Sequence, residues 1–222
     1  MSEKRVISFD LEGTLVDSSE FNHYHRYHQL PLLYSEKFGV SLDEAMRAVF
    51  SAYEEVDESS LMGERTHYWL RRFGIYRSPK EVLREIKNKI KIYPEVPSCL
   101  ERLKKHFQLI ISSGALREFL EVELEVLGGN YFTHTFSSVS DFGILGKPAK
   151  FYIMVCDFLN IKPENLVHIG DSKKWDFVVP RKLGINSYLL DREGQEKGTY
   201  VVRDLREFSE RLLADKLIVA KD

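Results

Sequence analysis

The chain predicts a doubly wound α/β fold: a mainly parallel, Rossmann-like sheet interrupted after its first strand by an inserted all-α cap domain. Three observations predict it. Short apolar runs alternate with helical patterns along most of the sequence, each run ends in small or acidic residues, and the stretch 18–91 carries helical patterns with no convincing strand.

The first run, Val6 to Phe9, is followed by others at 109–111, 134–136, 166–169 and 187–190. Between the later runs, residues 94–106, 116–127, 149–159 and 173–183 place apolar side chains three and four apart, with Gly128 and Gly184 as stop signals. Pro180 falls inside the last of these, so that helix must kink or restart. Within the insert, SLDEAMRAVFSAYEEVD opens on Ser41 and SPKEVLREIKNKIKIY on Ser78. Glu44 and Glu81 follow three residues later, which predicts a capping box at each start. The expected division is a Rossmann-like core of residues 1–17 and 92–222 with a helical cap of residues 18–91. The chain crosses back near 93–97, where Pro94 and Pro97 stiffen it.

Composition narrows the function classes. At 222 residues and 43% hydrophobic, the chain can bury a sizeable core. Lys plus Arg number 32 against 34 Asp plus Glu, and a net charge of −2 gives no electrostatic footprint for nucleic acid or an anionic membrane. Cys99 and Cys156 have no C-x-x-C spacing and suit a structural role in a reducing compartment. No run approaches the ~18 apolar residues of a membrane span, and MSEKR leads straight into the first strand. The expectation is a cytoplasmic protein, monomer or homodimer, with no nucleic-acid or membrane partner.

In a doubly wound sheet, ligands bind beyond the carboxyl ends of the strands, so the residues just after each strand carry the chemistry. Four segments stand there: Asp10-Leu11-Glu12-Gly13-Thr14, Ser112-Ser113-Gly114, Gly146-Lys147-Pro148 and Gly170-Asp171-Ser172, the last leading to Asp176. Singly, each reads as a helix cap, an Asx turn or a solvated loop charge. Together, carboxylates that can hold a divalent cation meet a lysine and serines that can bind an anion. Asp10 and Glu12, one residue apart, need such a cation, a shared proton or a chemical task to offset their repulsion.

The ordered set DLEGT, SSG, GKP and GDSKKWD resembles the motifs of the haloacid dehalogenase-like hydrolase superfamily, in the phosphatase branch with a helical cap after the first motif. The resemblance implies a Mg²⁺-dependent phosphatase acting on a small phosphorylated metabolite. Asp10 would be the nucleophile that forms an aspartyl phosphate, and Glu12 the general acid and base. Ser112 and Lys147 would hold the phosphoryl oxygens, with Ser113 and Gly114 as further donors. Asp10, the Glu12 backbone carbonyl and Asp171 would be the metal ligands, with Asp176, Ser172 and Thr14 supporting them.

Glu12 departs from the superfamily's usual Asp, and its carboxyl reaches about 1.5 Å further. The alternatives are a phosphomutase of the same superfamily, or an impaired member that binds phosphate or a partner. An acid at this place argues against the dehalogenases, which lack one, and the phosphonatases, which have a small residue there. Trp175 is the second departure, where Asn is usual. Within the cap, His23 and Arg65 are candidate substrate contacts, with His67 and Tyr68 as further ones, while Trp69, Leu70 and Phe73 are expected to pack. His23, His25 and His28 lack the i, i+4 spacing of paired metal ligands on one helix.

Overall fold

The computed structural model describes residues 5–56 and 65–219. The lead-in before Arg5 and Asp57, the last residue of the 41–57 pattern, lie outside the described residues. The strands are β1 (Val6–Phe9), β2 (Val16–Asp17), β3 (Lys91–Ile92), β4 (Gln108–Ser113), β5 (His134–Ser137), β6 (Leu166–Gly170), β7 (Asn186–Leu190) and β8 (Val201–Val202). Six of them form one sheet in the order β5-β4-β1-β6-β7-β8, with every pair parallel. β2 and β3 form a separate two-stranded sheet.

β1 is buried at all four positions, the continuous burial expected of a central strand covered on both faces. It lies between β4 and β6, where the strand order reverses, and the crevice beyond its carboxyl end is therefore the topological switch point. Phe151, Tyr152, Val155 and Cys156 of the helix Ala149–Leu159 pack with Val6, Ile110, Phe136, Leu166 and Ile185 in one core cluster. That burial fixes the helix that follows the loop carrying Lys147. Cys99 and Cys156 are buried and free.

Several elements differ from the sequence expectation. β2, β3 and β8 have two residues each, too short for a period to register. The helix Ser138–Phe142 was not expected; Ser137 caps it by accepting from the Ser140 amide, and Gly143 ends it at φ 64°. The 173–183 pattern restarts: a π-turn, Lys173–Val178, is followed by a short helix, Val179–Arg181, which carries Pro180 in its first turn. Ser41 and Glu44 make the expected capping box. Ser78 does not: its side chain caps no amide, and the helix Pro79–Glu85 starts instead on Pro79, whose ring presets the helical φ.

The chain divides into two compact units. One holds residues 1–17, 92–117 and 127–222; the other holds 18–91 and 118–126. The helical unit has its own core of Leu30, Leu33, Val49, Ala52, Trp69, Leu70, Phe73, Ile75 and Val82. Residues 118–126 group with it through Lys80 and Arg84, which pair with Glu125, and through the Phe119 ring set edge-on to Phe21 and His25. The Ser18 hydroxyl also donates to buried Glu123, 2.5 Å away. Among the described residues, no helix is long and apolar enough to cross a membrane.

Candidate active site

The carboxyl end of β1 delivers Asp10, whose amide donates to the Ile169 carbonyl of β6 at 2.9 Å. Lys147 reaches the same point from the loop before the helix Ala149–Leu159. Its Nζ lies 2.5 Å from Asp10 Oδ1 and 2.5 Å from Asp176 Oδ1, all three groups being buried. The nitrogen is also 3.4 Å from the Ser112 carbonyl. Carboxylate oxygens of Asp10, Asp171 and Asp176 lie within 4.8 Å of one another, with Asp171 at the solvent edge.

Two glycines make this crowding feasible. Gly13 sits at φ 72°, and a Cβ there would fall 2.2 Å from Asp171 Oδ2. A Cβ on Gly170 would meet the Asp176 carboxyl carbon at 2.4 Å.

Burial pushes the Asp10 carboxyl well above the usual carboxylate range; Lys147 pulls against it, while Asp176 and Asp171 add to the rise. Asp171 is also raised, first by the protein atoms crowding its carboxylate and then by Asp176. Burial opposes the charge on Asp176 too, but Lys147 and His168 outweigh it and hold that carboxyl below the usual range. Burial likewise opposes the charge on Lys147, and the two aspartates keep it firmly protonated. The site thus sets one buried cation among three carboxyl groups, a pocket of hard oxygen donors.

Behind these groups runs a buried polar chain absent from the sequence expectation. His168 Nε2 is 2.9 Å from Asp176 Oδ1 and His168 Nδ1 is 3.0 Å from Ser8 Oγ. Ser8 Oγ lies 2.7 Å from Ser112 Oγ. Tyr152 donates to the Trp175 carbonyl at 2.8 Å and lies 3.1 Å from His168 Nε2. Burial lowers the His168 pKa. The signal for Ser8 and His168 was register: they pair directly across β1 and β6, so both point to one face.

The remaining expected residues are placed as follows. Ser113 Oγ accepts from the Ala115 amide at 3.0 Å, and a Cβ on Gly114 would meet nothing within 4 Å. Ser172 donates its amide to Asp176 Oδ2 at 3.0 Å and accepts from Trp175, so it locks Asp176 locally. Thr14 is fully buried and Glu12 half-buried in the turn that follows β1. The Trp175 ring packs on Gly146, where a Cβ would come within 2.8 Å of it, and so braces the loop carrying Lys147. In the helical unit, Arg65 and His23 are exposed. The His23 ring lies tilted against Tyr27 and, five residues on, against His28, because His25–Gln29 is a π-turn. His25 is buried and bonded to Gln29 and Thr66. Trp69, Leu70 and Phe73 are in the core.

The donor set fits a hard divalent cation. The three grouped side chains offer carboxylate oxygens, and the Asp10 and Asp171 carboxyls are raised first by burial and then by neighbouring negative charge, a repulsion that a cation would relieve. Asp176 already bonds Lys147, His168 and the Ser172 amide.

A family model for haloacid dehalogenase-like hydrolases matches residues 4–178, and the chain belongs to that family. That family is one of hydrolases. A glyceraldehyde 3-phosphate phosphatase from Pyrococcus furiosus is 27% identical over 230 residues, covering 96% of this chain and 94% of its own length. The fold is shared with a HAD phosphatase from Thermococcus onnurineus, at TM-score 0.73 and 22% identity over 94% of this chain and 97% of that one. It is also shared with the HAD-hydrolase YfnB from Bacillus subtilis, solved bound to magnesium, at TM-score 0.65 and 21% identity over 94% and 98% of the two chains.

Proposed function

We propose that the protein is a Mg²⁺-dependent phosphatase that hydrolyses a small phosphorylated metabolite through an aspartyl phosphate on Asp10. The observation that carries the reading is the buried Asp10–Lys147–Asp176 arrangement beside Asp171, at the switch point of a parallel sheet.

Asp10 and Asp171, with the Glu12 carbonyl, would hold Mg²⁺, which when bound supplies charge neutralisation for the entering phosphoryl group. An Asp10 oxygen attacks phosphorus and the ester oxygen leaves. Glu12 protonates that oxygen, then takes a proton from the water that cleaves the aspartyl phosphate. A carboxylate is a weak nucleophile, so alignment matters more than basicity. Lys147 supplies alignment by fixing one Asp10 oxygen, and Ser112, Ser113 and the Gly114 amide would receive the phosphoryl oxygens, Ser112 on releasing its hydroxyl from Ser8. Asp176 holds Lys147 in place from behind. The buried free cysteines support a reducing, cytoplasmic setting.

Phosphate release from an aryl phosphate, with Mg²⁺ and with EDTA, tests the reading. A panel of phosphorylated metabolites should then include triose phosphates, because the P. furiosus relative is named for one. Metal-dependent release is expected; metal-independent release, or none across the panel from folded protein, contradicts it.

A further inference from the structure

Arg192 lies outside all four sequence motifs, yet it grips the turn that carries Glu12. β7 ends at Leu190, and the next residue locks a tight turn: the Asp191 amide donates to the Val202 carbonyl at 2.8 Å. Its carboxylate accepts from the Gly194 amide at 2.9 Å and the Glu196 amide at 2.7 Å. Arg192 is therefore presented from a rigid base. Its Nη2 donates to the Thr14 carbonyl at 2.8 Å and its Nε to the Gly13 carbonyl at 3.4 Å. Its Nη1 lies 2.8 Å from Glu95 Oε1, and the guanidinium stacks 3.5 Å over the Tyr93 ring. Tyr93 in turn donates its amide to the Leu15 carbonyl at 3.3 Å.

One planar group thus meets two successive carbonyls directly after Glu12, a buried carboxylate and an aromatic face. Only a guanidinium offers that fork and that stacking surface together; a lysine would bring a single point charge. The turn it grips is closed from inside by Gly13 N–H to Val16 O at 2.8 Å and Leu15 N–H to Leu11 O at 2.8 Å. Its outward carbonyls are the ones that Arg192 anchors.

We propose that Arg192 is a positioning residue for Glu12. It fixes the backbone from which the longer acid must reach the leaving-group oxygen. The assignment rests on the phosphatase mechanism above. Glu has one more rotatable bond than Asp, so the place of its carboxyl depends more on a fixed backbone, and a misplacement of about 1 Å costs roughly a hundredfold in rate.

The test is the leaving-group dependence of kcat/KM, which reports the step in which Glu12 donates a proton. Phenyl phosphate needs that proton and 2,4-dinitrophenyl phosphate does not. Arg192→Met is expected to lower kcat/KM for phenyl phosphate by about ten- to a hundredfold and for the dinitrophenyl ester by less than about threefold. Glu12→Gln should show the same selectivity, and adding Arg192→Met to it should cost little more, because the two act in series. Arg192→Lys, which keeps the charge, should give a smaller but equally selective loss, so the assignment stays testable if the methionine variant does not fold. Amide exchange at residues 13–16 should quicken in either variant.

Equal losses on both esters, or fully additive losses in the double variant, overturn the role of Arg192 while leaving the phosphatase reading in place. A wild type without activity, or an Asp10→Asn variant as active as wild type, overturns that reading and the Arg192 assignment with it.

Discussion

Lys147 Nζ stands 2.5 Å from Asp10 Oδ1, and no water separates the buried cation from the proposed nucleophile at that distance. The same nitrogen also meets Asp176, so removing it takes the shared cation from two buried carboxyl groups, leaving Asp176 to His168 and the Ser172 amide. Breaking one partner of a buried pair costs roughly 3–5 kcal/mol. Lys147→Met is therefore expected to lose stability on that order in denaturant unfolding at neutral pH, along with activity. Unchanged unfolding would show that the carboxylates do not depend on it.

Glu12→Asp shortens the proposed acid by a methylene and restores the family's usual residue. The variant is expected to retain or raise kcat for aryl phosphate hydrolysis. A loss of about a hundredfold, the scale of a 1 Å misplacement, would mean that this site is built around the longer acid.

Gly13→Ala meets two obstacles. The left-handed backbone at φ 72° costs an L-residue about 1–2 kcal/mol, and the new Cβ would fall 2.2 Å from Asp171 Oδ2. Asp171 must swing away. The expected result is a higher Mg²⁺ concentration for half-maximal activity, read by metal titration, together with a lower Tm. An unaltered metal titration would remove Asp171 from the ligand set.

His25 makes folding pH-dependent. Burial pushes its pKa down to about 4 from an ordinary 6.5. Between those values the unfolded chain binds a proton that the folded chain does not, so stability falls as pH drops through that window and levels off below it. The full effect is about 3 kcal/mol at one pKa unit per 1.36 kcal/mol. Denaturant unfolding between pH 7 and 4 should show the slope, and His25→Gln should flatten it. An equal slope in both proteins would assign the dependence elsewhere.

The groups that could be read from the chain are those that the sheet itself brings together. Asp10 and Asp171 each directly follow a buried parallel strand and Ser112 lies in the last residues of one, and the edge of such a sheet gathers strand ends whatever lies between them in sequence. Lys147 was legible from its place just before a helix. Ser8 and His168 were not, because a polar residue inside a strand looks like any surface position until register pairs it across the sheet. Arg192 sits in a loop whose partners, Gly13, Thr14, Tyr93 and Glu95, are distant in sequence. Residues 118–126 read as a core helix from periodicity alone; their grouping with the helical unit depends on Glu121 and Glu125 meeting Lys80 and Arg84. The π-turn at His25–Gln29 likewise brings His23 and His28 together at a spacing that a 3.6-residue period hides.

The most direct measurement is the initial rate of phosphate release from an aryl phosphate, in saturating Mg²⁺, by wild type and Asp10→Asn. If Asp10 accepts the phosphoryl group, the variant's rate falls by on the order of a thousandfold or more while its fold persists. Equal rates from the two proteins would contradict the account.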